Sequence, residues 1–474
     1  MVVAPEGEPM TNEAPLPVEG PTADELFGRG NDGDGGRRRF GWPVYAWGLW
    51  DWGSAAFNAV ITTFVFSVYI TSDDFGPGAA SKLGWALAGA GLMVALFAPV
   101  SGQGADRSGH RGRWLGINTG LVVLASAGMF FVQPSPDYLW LGLLLLAAGN
   151  VFFEFASVNY NAMLSEVSTP ATIGRVSGLG WGLGYLGGIV LLLIVYFGLI
   201  SPEVGLFGVG DENALDVRVT MLLCALWTLV FSLPVLLTLR DRPMPRDVAR
   251  TRIGLLASYR LLFASIADLW RADRRTVWFL VASAVFRDGL AGVFTFGAVI
   301  AANVFDFSDG GVIIFGIAAN VVAGVATIAF GHLDDRIGAL RVIQIALVSM
   351  VVAGLVIFVL HDAGQGAFWA FGLLLCIFVG PAQSASRSYL ARLIEPGREG
   401  QVFGLYATTG RAVSFLAPAA FAIAIWLGAT VTGSTSDDAE YWGILGIAAV
   451  LLLGLGLLLG LVRTSAADAA AAPE

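Results

Sequence analysis

Hydrophobic residues in this chain come in long unbroken runs, not in the alternation of a half-buried strand. The runs cover residues 44–71, 82–103, 114–132, 138–164, 175–200 and 217–239, then 276–303, 311–331, 341–360, 367–391, 402–428 and 441–462. A hydrocarbon layer about 30 Å thick is crossed by roughly 20 helical residues. A helix also satisfies its own backbone where no water can. The pattern therefore predicts an all-α integral membrane protein with twelve transmembrane helices. The grouping of six, a gap and six predicts two six-helix bundles, at 41–239 and 276–463, joined by a linker at 240–275.

The polar segments set the expected orientation. The linker holds nine arginines, at 240, 242, 246, 250, 252, 260, 271, 274 and 275, against aspartates at 241, 247, 268 and 273. The alternate loops 72–81, 133–137, 201–216, 304–310, 361–366 and 429–440 contain thirteen acids and no Lys or Arg. Positive charge stays on the cytoplasmic side of a membrane, so both termini and the linker are expected there. Within the linker, Ile253, Leu256, Tyr259, Leu262, Phe263, Ile266 and Trp270 recur at helical spacing. They predict an amphipathic helix on the inner membrane surface that ties the bundles together. Residues 1–40 are rich in Pro, Gly, Glu and Asp and read as a disordered cytoplasmic tail, and 464–474 as a second tail.

Composition narrows the class further. The chain is 56% hydrophobic and 13% charged, against about 45–50% apolar and about 25% charged in a soluble domain. The net charge of −9 comes from the first 35 residues and the acidic loops, so it does not point to a basic partner, and no nucleic-acid partner is expected. Cys224 and Cys376 both lie in apolar runs, which leaves no disulfide framework and no cysteine metal site. Lys82 is the one lysine beside 26 arginines, a bias that points to a GC-rich bacterial genome and hence to a bacterial cytoplasmic membrane.

A repeat supports the division. Gly102-Gln-Gly-Ala-Asp106-Arg107-Ser-Gly109-His-Arg111 follows the second run, and Gly331-His-Leu-Asp-Asp335-Arg336-Ile-Gly338-Ala-Leu-Arg341 follows the eighth. Both read Gly-x-x-x-Asp-Arg-x-Gly with a basic residue shortly after, each in a tight loop at the same place in its half. Glycine permits the reversal, and the Asp is expected to cap the next helix. Such gating loops lie where two bundles would separate. The chain here resembles the major facilitator superfamily, whose loops between helices 2 and 3 and between 8 and 9 carry this signature. A narrower resemblance rests on Tyr45-Ala-Trp-Gly-Leu-Trp-Asp51-Trp-Gly-Ser-Ala-Ala-Phe57, Tyr160-Asn161-Ala-Met-Leu, Ile173-Gly-Arg175-Val-Ser-Gly178, Gly184-Tyr-Leu-Gly-Gly188, Gln383-x-x-Ser386-Arg387-Ser and Phe403-Gly-Leu-Tyr406. These are similar to the vacuole-effluxer family, which includes the autophagy-related amino-acid effluxers. Ser54 and Arg411 depart from that pattern, where Asn and Lys are usual. The resemblance implies the major facilitator fold, with helices 1, 4, 7 and 10 lining a central cavity.

Ionisable groups inside hydrocarbon cost roughly 2.5–3.5 kcal/mol each on insertion scales and mark functional or paired positions. Here they are Asp51, Glu154, Arg287, Asp288, Arg387 and Arg411, three acids and three bases. Asp51, Ser54, Asn58 and Thr62 follow helical spacing, as do Glu154, Ser157 and Asn161, and Gln383 with Arg387. Polar stripes of this kind suit a small polar or zwitterionic solute. Asp51 reads either as a gating salt bridge or as a substrate contact. Glu154 reads as a proton carrier, an amine ligand or an ion-pair partner. Arg387 is the expected partner of a carboxylate. Arg287 and Asp288 are adjacent and must point to different faces, so one of them is expected to be structural. Trp47, Trp50, Trp181 and Tyr185 suit either substrate stacking or interface anchoring. Gly178, Gly180, Gly182, Gly184, Gly187 and Gly188 read as close helix packing.

The expected function is a secondary active or facilitative transporter of a small polar solute by alternating access, with an amino acid or related metabolite the best fit and efflux as one direction. The competing class is a receptor, scaffold or lipid-handling protein on the same fold. No nucleotide-binding loop, metal-ligand cluster or nucleophile motif suggests an enzyme, and His110, His332 and His361 all read as loop residues. The expected partners are the solute, the bilayer, and protons or another coupling ion, with no cofactor and a functional monomer.

Overall fold

The computed structural model describes residues 40–202, 204–239, 255–435 and 438–462. The tails expected at the termini and the arginines at 240–252 lie outside these residues. Among the described residues twelve helices are long and apolar enough to cross a membrane. In the first half they are α1 (Trp42–Ile70), α2 (Ala79–Ser108), α3 (Arg111–Phe131), α4 (Pro136–Ser165), α5 (Ile173–Ile200) and α6 (Glu212–Thr238). In the second they are α7 (Arg274–Asn303), α8 (Gly310–Ile337), α9 (Ala339–Val359), α10 (Gln365–Leu393), α11 (Glu399–Thr432) and α12 (Glu440–Val462). These match the twelve hydrophobic runs, and the described residues contain no strand.

The apolar core is divided. One cluster in the first half gathers Phe57, Phe66, Leu143, Leu146 and Met221, and a second gathers Val44, Trp47, Trp50, Tyr160 and Val176. A larger one fills the second half around Phe286, Ile343, Met350, Phe368 and Leu451. Cys224 and Cys376 are free and buried. Many other large apolar side chains, among them Trp85, Leu124, Trp140 and Leu237, are exposed on the periphery, the surface that lipid would cover.

The halves meet along two backbone-close seams, α2 with α11 and α5 with α8. Glycines make this approach possible. A Cβ at Gly102 would sit 2.0 Å from the Gly400 carbonyl oxygen, and one at Gly404 2.6 Å from Pro99 Cα. Across the other seam a Cβ at Gly178 would meet the Thr327 carbonyl oxygen at 2.7 Å, and one at Gly182 the Gly324 oxygen at 2.8 Å. Gly180, Gly184, Gly187 and Gly188 instead face α1. Pro99 has no N–H to offer the Ala95 carbonyl four residues back. The Thr408 hydroxyl of α11 donates to that carbonyl at 3.0 Å, so the carbonyl that Pro99 leaves free becomes part of the seam.

Two helices depart from regular geometry. Across Ala56–Phe64 α1 widens into π-helical turns, with the Thr62 and Thr63 hydroxyls donating to carbonyls five residues back. Asn58 is exposed, and Thr62 is turned back on the backbone. The second departure is in α11, which breaks between Ala412 and Leu416.

The amphipathic element of the linker is a helix over Leu255–Ala272. It touches both halves. The Tyr259 hydroxyl donates to the Leu96 carbonyl of α2 at 2.8 Å, and Trp270 packs edge-on against Trp278 of α7 at 5.4 Å.

Candidate functional site

The two repeated motifs are mostly helix, not loop as the sequence suggested. Gly102 to Arg107 belong to α2 and Gly331 to Arg336 to α8, because the helical hydrogen bonds continue to Ser108 and Ile337. His332 is accordingly helical. The reversal itself falls on Gly109, at φ +65°, and Gly338, at φ +91°, where glycine avoids the Cβ clash of the left-handed region.

Each motif aspartate caps a helix of the opposite half, not the next helix in sequence. Asp106 accepts the backbone N–H groups of Gly400 at 2.9 Å and Gln401 at 2.8 Å, at the start of α11. Asp335 does the same for Gly174 at 2.8 Å and Arg175 at 3.1 Å, at the start of α5. A carboxylate there meets unpaired amides and the positive end of the helix dipole. Side chains brace both caps. Arg111 reaches Asp106 at 2.7 Å, Glu166 at 3.0 Å and Glu399 at 2.5 Å. Arg175 holds Asp335 at 2.9 Å, and Arg392 bridges Asp334 at 2.6 Å and Asp335 at 3.2 Å. Arg336 and Arg341 are exposed, and Arg107 is half-buried. At this motif end the halves are clamped.

Five residues further in from Arg392 along α10 lies Arg387, which is 1% exposed. Its guanidinium donates to the Ser177 carbonyl at 2.7 Å, the Ser177 hydroxyl at 3.0 Å, Asn161 Oδ1 at 3.1 Å and Asp51 Oδ2 at 3.3 Å. Trp47, Tyr160 and Trp181 surround its central carbon at 5.0, 5.7 and 5.0 Å. The expectation that Arg387 faces an open cavity is corrected: every acceptor of the guanidinium comes from the first half, and four of its five N–H groups are engaged there. Of the other residues on this face, Asn161 also donates to the Ser157 hydroxyl at 3.3 Å, while Gln383 is half-buried.

Charges also meet near mid-membrane. Glu154 lies 11 residues before the end of α4 and Arg411 12 residues after the start of α11, or about 16 and about 18 Å deep at about 1.5 Å per residue. The two form an ion pair across the halves, with side chains 22% and 35% exposed. Arg287, at similar depth on α7, lies against Gly410. It donates to the Tyr406 carbonyl at 3.1 Å and stacks its guanidinium 3.7 Å over the Tyr406 ring. Asp288 points the other way and accepts the Ala417 N–H at 2.6 Å, capping the part of α11 that restarts at Leu416. In this structure it acts as a backbone cap. A partly open cavity of about 50 Å³ in the second half, lined by Phe315, Met350, Phe368, Cys376 and Ile447, is apolar and separate from these charges.

The sequence reading wrote out Tyr160, Ser177 and Asp334 within motifs but gave them no role of their own, and it passed over Glu166, Glu399 and Arg392. Their signal was position: a polar or charged residue in the first or last turns of a span has its side chain at the level of the clamps. Which helix it would meet was not in the sequence.

Comparison with known proteins bears on the whole chain. A curated relative, the uncharacterized MFS-type transporter YxiO of Bacillus subtilis (strain 168), is 24% identical over 421 residues, covering 88% of this chain and 95% of its own. Autophagy-related protein 22-1 of Neosartorya fischeri is 24% identical over 286 residues, 53% of this chain and 44% of the fungal one, so this chain spans under half the length of that relative. Among solved structures, the proton:xylose symporter XylE aligns with a TM-score of 0.67 at 14% identity over 89% of this chain and 95% of its own. A bacterial homologue of the iron transporter ferroportin in its outward-facing state aligns with a TM-score of 0.63 at 14% identity over 89% and 98%. Both resemble this chain in fold, and the xylose symporter is a major facilitator superfamily protein. The family described as vacuole effluxer Atg22 like matches residues 87–464, and the chain belongs to that family of major-facilitator-type transporters.

Proposed function

We propose that this protein moves a small polar solute by alternating access, binding it at mid-depth between Glu154 of α4, Arg411 of α11 and Arg287 of α7. The observation that carries the proposal is the contrast of burial: these charges come from both halves and stay partly exposed, while the motif end is clamped. An amino acid fits best. Its ammonium replaces Arg411 at Glu154. Its carboxylate goes to Arg287, whose described partners are a neutral carbonyl and a ring. Charge-assisted hydrogen bonds to fixed guanidinium groups favour that assignment. Arg387 and Asp51 serve as the gate below the site.

The motif end faces the cytoplasm of a bacterial membrane in this reading, because Arg274 and Arg275 open α7 there, closely preceded by Arg271 in the sequence. The linker helix keeps the two bundles in register. Uphill movement draws on a proton or other solute gradient. Uptake into proteoliposomes from a panel of amino acids, peptides and sugars, with and without a pH gradient, tests the proposal. Saturable amino-acid flux that Arg287→Gln weakens through KM is expected. Absence of flux for every class would favour the receptor or scaffold reading.

A further inference from the structure

The contacts of Arg387 differ in kind from those of an ordinary interhelical ion pair. Arg392, one turn along the same helix, is held by carboxylates of its own half at 2.6 and 3.2 Å. Arg387 is held wholly by the other half. Its one carboxylate contact, to Asp51, is the longest of its four hydrogen bonds at 3.3 Å, well beyond the about 2.7–2.9 Å of a tight charge-assisted bond. Most of its recognition comes from neutral oxygens and aromatic faces. A flat cation with several N–H donors satisfies such a surface, and a compact ammonium does not.

The walls of this box also stand without their occupant. Trp47 donates from its indole N–H to the Tyr160 carbonyl at 3.1 Å and stacks on the Tyr160 ring at 4.3 Å with 9° between planes. Trp50 stacks on the opposite face of Tyr160, also at 4.3 Å, and is anchored by its own N–H to Thr119 at 3.1 Å. The Tyr160 hydroxyl donates to Asp51 Oδ2 at 2.9 Å, fixing the carboxylate. A Cβ at Gly180 would lie 2.6 Å from Trp47 and 3.0 Å from Asp51, so α5 closes the side at glycine distance. All of these residues belong to the first half, and none of these contacts involves α10.

We propose that the first half carries a guanidinium-binding box built by Asp51, Trp47, Tyr160, Asn161, Ser177 and Trp181, of which Arg387 is the tethered occupant. When the motif end opens, Arg387 leaves with α10 and the box takes up a free monoalkylguanidinium, which then competes with reclosure. The tether gives Arg387 a high effective concentration, so the free cation wins only where the halves already part or where Arg387 is removed. The box is independent of the solute proposed for the mid-depth site and lies closer to the motif end.

The probe is methylguanidinium at millimolar concentration, with urea as its neutral shape mimic, on the full-length protein in detergent. In Arg387→Ala, methylguanidinium is expected to raise the melting temperature saturably while urea does not, and adding Asp51→Asn is expected to remove the response. An equal response to the two compounds, or a response that survives Asp51→Asn, overturns the proposal. A second measurement keeps Arg387 in place and does not depend on that variant folding. Ser384 sits on the seam, its hydroxyl 3.2 Å from that of Ser177. With Cys224 and Cys376 replaced, Ser384→Cys is expected to react with a maleimide several-fold faster in methylguanidinium than in urea, because occupancy of the box holds the seam open. An unchanged labelling rate in this background also overturns the proposal.

Discussion

The motif end and the mid-membrane site are both built from opposite charges donated by the two halves, yet they differ in burial and in what surrounds the charges. At the motif end Asp335, Asp334 and Asp106 are 7%, 2% and 5% exposed and are bonded to backbone amides or arginines. There the helices touch through glycine. At mid-depth Glu154 and Arg411 hold each other with little else, and remain 22% and 35% exposed. A charge whose hydrogen bonds are all satisfied by protein has nothing to offer a solute, whereas one with a single exchangeable partner does. The first region is made to close, and the second to exchange partners.

This comparison can be broken first at the glycine seam, where the largest effect is expected. Gly102→Val places a branched side chain where even a Cβ would be 2.0 Å from a backbone oxygen, which cannot move as a side-chain tip can. The α2–α11 contact should be lost. Gly104, two residues away in the same helix, has nothing within 4 Å of its Cβ position, so Gly104→Val is the control. Cross-linking between cysteines placed at Ala95 and Thr408 should fall sharply in the first variant and stay normal in the second.

Next in size is Asp51→Asn. It leaves Arg387 buried without a counter-charge, and breaking a buried pair in this way costs about 3–5 kcal/mol. Thermal unfolding in detergent should show the loss, and Asp51→Asn combined with Arg387→Gln should cost less than the two singles added together. Additive losses would mean that the 3.3 Å contact contributes no coupling.

The smallest effect on stability is expected at mid-depth. Glu154→Gln or Arg411→Gln removes a partly exposed pair worth no more than about 1 kcal/mol, so the melting temperature should barely change. Solute movement should nevertheless be abolished in both. Variants that unfold like Asp51→Asn would place this pair with the clamps.

The sequence reading reached the twelve spans because hydrophobic run length reports on the bilayer and needs no knowledge of neighbours. The repeat around Asp106 and Asp335 was legible for the same local reason, since two copies of one pattern need no partner to be seen. Their capping targets were not legible. Gly400 is 294 residues from Asp106 and Gly174 is 161 residues from Asp335, and nothing local to the motif distinguishes the next helix from one across the molecule.

Charge counting had a similar limit. Three acids and three bases within the spans were evident as a balanced set, but not as pairs. Only the packed helices join Arg387 to Asp51 and Glu154 to Arg411, and turn Asp288 onto the backbone of α11. By itself the sequence determined that the chain must be a twelve-helix membrane protein, since so much apolar surface has no other place to go. Which charges close the protein and which remain available was decided by the tertiary structure, because burial and pairing depend on distances between helices far apart in the chain.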